Sequence, residues 1–157
     1  MIKNYPSDYF FFFLSLASSG CQAKIGKTYW NDNNITWNEY NEGLAQAKKE
    51  RKPTIIIFYS DSCSACRKYK KVFQEKSVVD AASSFVMIRV NTGKHPKLSD
   101  AYRFDGRYVP RTFAVYPDGK VMQKIYPSKK YKYFIGLASE NLLELMRKAH
   151  SQMPKKH

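Results

Sequence analysis

The chain has 157 residues, 43% hydrophobic and 15% aromatic, and its 27 lysines and arginines against 13 acidic residues give a net charge of +14. That length suits one domain with a substantial core, and recurring apolar runs exclude a disordered chain despite a mean hydropathy of −0.55. The charge favours acidic partners or anionic surfaces through salt-screened attraction, but it comes with no nucleic-acid motif and its lysines are dispersed, so no nucleic-acid partner is expected.

The opening MIKNYPSDYFFFFLSLASSGCQAK sets Lys3 before a short apolar stretch, Tyr9 to Ala17, followed by small residues. This is the pattern of an export signal over residues 1–23. The stretch is too short to span a bilayer, which takes about 20 apolar residues. Cleavage after Ala23 fits the small-residue pattern. Ser18-Ser19-Gly20-Cys21 offers a second reading, a bacterial lipoprotein site with Cys21 as the lipid attachment point and the membrane as a partner, although leucine is missing three residues before the cysteine. Loss of residues 1–23 removes Lys3 and Asp8, so the mature chain keeps its charge of +14.

Residues 36–51, TWNEYNEGLAQAKKER, place Trp37, Tyr40, Leu44 and Ala47 at helical spacing. Thr36 or Asn38 is available as a cap and Pro53 as a stop. PTIIIFYS, 53–60, is a continuous β-branched and aromatic run, the mark of a strand covered on both faces. After it, ACRKYKKVFQEKS puts Ala65, Tyr69, Val72 and Phe73 on one helical face, and a second short helix is expected from Val78 to Ser83. FVMIRV, 85–90, is another buried strand, parallel to the first because a helix joins them. Residues 91–108 read as a polar loop with a helical turn. RTFAVY and VMQKIY around PDGK read as two strands of a hairpin. Residues 126–138 are irregular, and Ser139 caps a last helix with Leu142, Leu143, Met146 and Ala149 on its apolar face. This order is that of an α/β, thioredoxin-like fold, a central mixed β-sheet flanked by helices, over residues 24–152, followed by a basic tail at 153–157.

Without Cys21 the domain holds one pair of thiols, Cys63 and Cys66, where a strand gives way to a helix. A helix N-terminus favours thiolate, so Cys63 is the expected nucleophile and Cys66, one turn further in, the resolving cysteine. A disulfide enclosing so short a loop removes little unfolded-state entropy, which argues against a purely structural bond. Zinc needs four ligands, and His95, His150 and His157 lack the close spacing that would complete a set, so no metal is expected. Arg67 and Lys68 favour the thiolate and Asp61 opposes it, so a lowered pKa is expected at Cys63. No cofactor beyond the redox-active pair is expected.

In the thioredoxin fold a proline opens the strand facing the dithiol, in a cis form taken by about one X-Pro bond in twenty. Pro110 of YVPRT stands where this proline belongs, which would bring the Val109 backbone beside Cys63 to pair with an extended substrate. An ordinary strand-opening proline is the alternative. Val109, Pro110, Ser64 and Ala65 are the candidate substrate-binding residues.

With ITW, GLAQAKKERKP, CSACRKYKKVF, FVMIRVN, DGRYVPRTFAVYPDGKV and YKYF, the chain from about Tyr29 to His150 resembles the small endoplasmic-reticulum thioredoxin-domain proteins of the anterior-gradient family. DGRYVPR and YKYF carry most of the specificity, since neither is a general thioredoxin feature. The resemblance implies one thioredoxin-like domain in an oxidising compartment, acting on thiols or disulfides of client proteins with an unidentified redox partner. Because serine-bearing relatives lose ordinary dithiol turnover, a client-binding, chaperone-like module is the alternative, with Tyr102, Phe104, Tyr108, Tyr131 and Tyr133 as its contacts. Ending in PKKH rather than a KDEL-like tetrapeptide leaves secretion, or a bacterial periplasm, beside the reticulum lumen as expected locations. Thioredoxin itself has a buried acid six residues before the first cysteine and a tryptophan just before it; here these are Ile57 and Ser62.

Overall fold

The computed structural model describes residues 30–127 and 129–154. The segment expected to be an export signal, 1–23, with Cys21, and residues 155–157 of the expected basic tail lie outside them.

The apolar run forms β2, Thr54–Tyr59, at the heart of a four-stranded sheet of order β1-β3-β2-β4. The other strands are β1, Trp37–Asn38; β3, Val86–Asn91; and β4, Arg111–Val115. β2 runs parallel to β3 and antiparallel to β4, with Ile56 opposite Ile88 on one side and Phe113 on the other. Alternate residues of a strand face opposite ways, and Thr54 to Phe58 are all buried, so both faces of β2 are covered.

Helix α1, Tyr40–Glu50, packs on β3. Gly43 permits the approach, because a Cβ there would lie 2.6 Å from Ile88 Cδ1. The expected helix start at Thr36 is corrected by the structure. Trp37 and Asn38 pair with Met87 and Ile88 as β1, the Trp37 indole N–H donates to the Trp30 carbonyl at 2.8 Å, and Glu39 is the N-cap. Sheet pairing and aromatic packing against Trp30 and Phe73 outweigh the helical spacing of Trp37.

Helix α2, Ser64–Tyr69, passes into a 3-10 segment, Lys70–Gln74, and extended Glu75 separates it from α3, Lys76–Ala82. The break therefore falls before Val78. The helical turn within 91–108 is α4, Pro96–Ala101. The last helix, α5, Ser139–Ser151, buries Leu142, Leu145, Met146 and Ala149; Leu143 is half-buried and Ala138, not Ser139, is the N-cap.

The second hairpin strand, expected at 121–126, does not form. The return begins as expected, with Tyr116 N–H donating to Lys120 O and Met122 N–H to Ala114 O, both at 2.8 Å, and a single bridge between Val115 and Val121. The chain then turns into a 3-10 segment, Gln123–Ile125. Tyr126 replaces the missing strand: its hydroxyl accepts from Ala114 N–H at 2.7 Å and donates to Thr112 O at 3.1 Å. Thr112 N–H donates to Tyr133 O at 2.8 Å. A buried strand edge must satisfy its polar groups, and here a phenol and a loop carbonyl do so.

Candidate active site

At the end of β2 the chain turns through Ser60–Ser62 and enters α2 with Cys63 as its N-cap. Cys63 N–H donates to Ser60 O at 3.3 Å, and Cys66 N–H donates to Cys63 Sγ at 3.0 Å. Cys63 and Cys66 are joined as a disulfide with their Cα atoms 5.2 Å apart. Cys66 is fully buried and Cys63 half-buried, which orders the two sulfurs by access to solvent.

Facing them, the Val109–Pro110 peptide bond is cis, and the Val109 carbonyl oxygen lies 3.5 Å from Cys63 Sγ. Three of the candidate residues, Cys63, Cys66 and Val109, thus meet at the sulfurs. Pro110 is buried behind Val109, while Ser64 is exposed and Ala65 half-buried in the first turn of α2.

Arg67 turns back over the active-site turn, its Nη1 donating to the carbonyls of Asp61 and Ser62 at 3.4 Å each. The Asp61 carboxylate is engaged by Asn91 Nδ2 at 2.8 Å. Ile57 is fully buried, and the buried polar residues among those described include no carboxylate. Tyr69, one turn after Cys66, is buried and hydrogen-bonded to Thr112 Oγ1 at 3.0 Å; burial pushes its phenol well above the ordinary tyrosine range.

Two features behind the Val109 loop were not assigned from sequence. Arg111 is fully buried, and its guanidinium donates to the carbonyls of Tyr102 (2.9 Å), Gly106 (3.1 Å) and Ser99 (3.3 Å) and to Ser99 Oγ (2.6 Å). The second is a latch. Tyr108 donates its hydroxyl to the Asp105 carboxylate at 2.7 Å and accepts from Tyr133 N–H at 3.0 Å, while Asp105 also accepts from Lys132 N–H. Burial first, and then the Asp105 carboxylate, raise the Tyr108 pKa. DGRY and YKYF are therefore the two halves of one contact, the signal that sequence did contain.

A buried sulfur paired with an accessible one at the mouth of a helix, with a strand-opening proline across from them, defines a thioredoxin-like protein. The thioredoxin-like family model matches residues 36–117, and the chain belongs to that family. It is similar to Anterior gradient protein 3 of Xenopus tropicalis, with 34% identity over 110 residues that span 66% of this chain and 65% of that one. Anterior gradient protein 3 of Homo sapiens is 31% identical over 133 residues, 79% of this chain and 78% of the relative. Among solved structures, a thioredoxin from Thermus thermophilus shares the fold with a TM-score of 0.58 and 19% identity, over 74% of this chain and 88% of that one.

Proposed function

We propose that this protein is an exported thiol-disulfide oxidoreductase acting on the thiols or disulfides of client proteins. The observation that carries the reading is half-buried Cys63, bonded to fully buried Cys66, with its sulfur 3.5 Å from the Val109 carbonyl oxygen. In the reducing direction the Cys63 thiolate attacks one client sulfur, forming a mixed disulfide, and the other client sulfur leaves as a thiolate that takes up a proton. Cys66, as thiolate, then attacks Cys63 Sγ, which releases the second client thiol and leaves the Cys63–Cys66 disulfide. Two electrons pass from the dithiol to the client, and the reverse sequence oxidises a client dithiol.

The Cys66 N–H aimed at Cys63 Sγ supports the thiolate, since a hydrogen bond to the charged form favours it. The Val109 backbone, with Pro110 holding its direction, receives the client as an added extended segment, and Ser64 and Ala65 form the near wall. The redox-active pair is the only cofactor invoked. An oxidising compartment, the reticulum lumen or the exterior, with a bacterial periplasm as the alternative, agrees with the expected export signal, and the similarity to anterior gradient proteins favours the first two.

The test is reduction of a disulfide-bonded protein by wild type, Cys63→Ser and Cys66→Ser. Turnover is expected in wild type alone, and equal turnover in all three contradicts the proposal. Exposed aromatic rings on the loops around Val109 favour a second reading, a client-binding module with little turnover. Client capture that survives loss of both cysteines supports that reading, and capture that disappears counts against it.

A further inference from the structure

Three large apolar side chains stand exposed among the described residues, Phe104 (54%), Tyr131 (51%) and Phe134 (39%), and all three belong to the two loops that the Tyr108–Asp105 latch ties together. They are held from below. Phe104 packs against Tyr133 at 5.9 Å and Phe113 at 6.0 Å between ring centroids, and Tyr131 meets Tyr108 edge-on at 5.1 Å. Phe134 N–H donates to Tyr131 O at 2.9 Å, closing the turn that presents Tyr131. Tyr108 immediately precedes Val109, so this shelf begins one residue from the carbonyl that faces Cys63 Sγ.

The charge around the rings is one-sided. Residues 99–109 and 129–134 carry five cations, Arg103, Arg107, Lys129, Lys130 and Lys132, against two carboxylates, Asp105 and Asp100, the latter paired with Arg107 at 3.1 Å. Asp105 is occupied within the latch, bound by Tyr108 and Lys132 N–H. Rigid aromatic rings hold an incoming ring or large apolar side chain at little entropic cost, and a net excess of positive charge beside them favours carboxylates.

From this we infer that the two loops form a docking shelf for extended client segments that carry an aromatic residue and acidic residues next to the reacting sulfur. The inference rests on the client-handling reading above and adds to it a class of client sequence. It also predicts a discrimination that the sulfur chemistry alone does not give, because the shelf lies outside the disulfide.

The test uses two fluorescein-labelled peptides of equal length in which serine replaces cysteine, one flanking it with tyrosine and aspartate and the other with alanine and lysine. Fluorescence anisotropy with the wild-type protein at low salt is expected to show the tyrosine-aspartate peptide binding about tenfold tighter or more, the weight of one good anchor. Tyr131→Ser alone, and Phe104→Ser with Tyr131→Ser, should remove most of that preference. Arg103→Glu with Lys129→Glu should reduce it through charge, and raised salt should mimic that change. Equal binding of the two peptides by wild type overturns the inference, as does a preference that survives the Tyr131→Ser and charge-reversal variants. Since neither peptide contains sulfur, the result is independent of turnover: peptide preference without redox activity removes the oxidoreductase reading alone, and turnover without preference removes the shelf alone.

Discussion

Arg111 carries a positive charge into the interior, where carbonyl oxygens and one hydroxyl, rather than a carboxylate, meet it. Burial lowers its pKa, yet a guanidinium stays charged in proteins, so those contacts are charge-assisted hydrogen bonds. Their effect is to bind the 99–106 segment to the residue that follows Pro110, and so to fix the backbone that faces Cys63. Arg111→Lys supplies a compact ammonium that cannot fork to all four acceptors, and should cost about 2–3 kcal/mol of stability. Chemical denaturation measures this, and a loss below about 1 kcal/mol would mean that the contacts are no stronger than a surface pair. Composition gave no warning of this residue, since a cation at the head of an apolar strand reads as an exposed one. The dithiol was legible because its two cysteines, the strand before them and the helix after them lie within a few residues. The Tyr108–Asp105 latch was legible only in halves, because Tyr133 is 25 residues away from Tyr108.

At the scale of elements, glycine in the middle of α1 is the informative case. Alanine is normally the better helix former by about 1 kcal/mol. Here its Cβ would meet Ile88 Cδ1 at 2.6 Å and Cγ1 at 2.7 Å, so Ile88, fully buried in β3, must shift or α1 must move off the sheet. Overpacking of this kind costs about 1–3 kcal/mol, and Gly43→Ala should therefore destabilise on balance. A rise in the denaturation midpoint would show that the helix–sheet contact yields freely. The elements read correctly from sequence, β2, β3, β4, α5 and, apart from its start, α1, are those whose apolar pattern records their own burial. β1 escaped because two residues carry no period, and its pairing with Met87 and Ile88 spans about fifty residues of chain. The strand expected at 121–126 failed for a related reason: VMQKIY has β propensity, but Tyr126 and Tyr133 already satisfy the edge it would have covered.

For the whole molecule, buried phenols set an alkaline limit. Tyr69, Tyr102 and Tyr126 are all raised above the ordinary tyrosine pKa, in each case chiefly by burial. In the unfolded chain they ionise near pH 10, whereas the folded protein keeps their protons to higher pH. Above that point the folded state binds more protons than the unfolded one, so stability falls as pH rises. Their contribution is complete below about pH 10 and declines beyond it. The share of tyrosinate absorbance that belongs to these buried phenols should therefore appear at alkaline pH in the same cooperative step as the loss of far-ultraviolet circular dichroism. Ionisation of the full tyrosine complement near the ordinary value, with helix intact, would contradict the buried network.

The same interior leaves Cys63 reachable and Cys66 enclosed, and that asymmetry is the basis of the proposed chemistry. Incubating Cys66→Ser and, separately, Cys63→Ser with a disulfide-bonded client, then mapping adducts by mass spectrometry, measures it directly. A mixed disulfide is expected to accumulate on Cys63 in the first variant, with little adduct on Cys66 in the second. Adducts at comparable yield on Cys66, or none on Cys63, would contradict it.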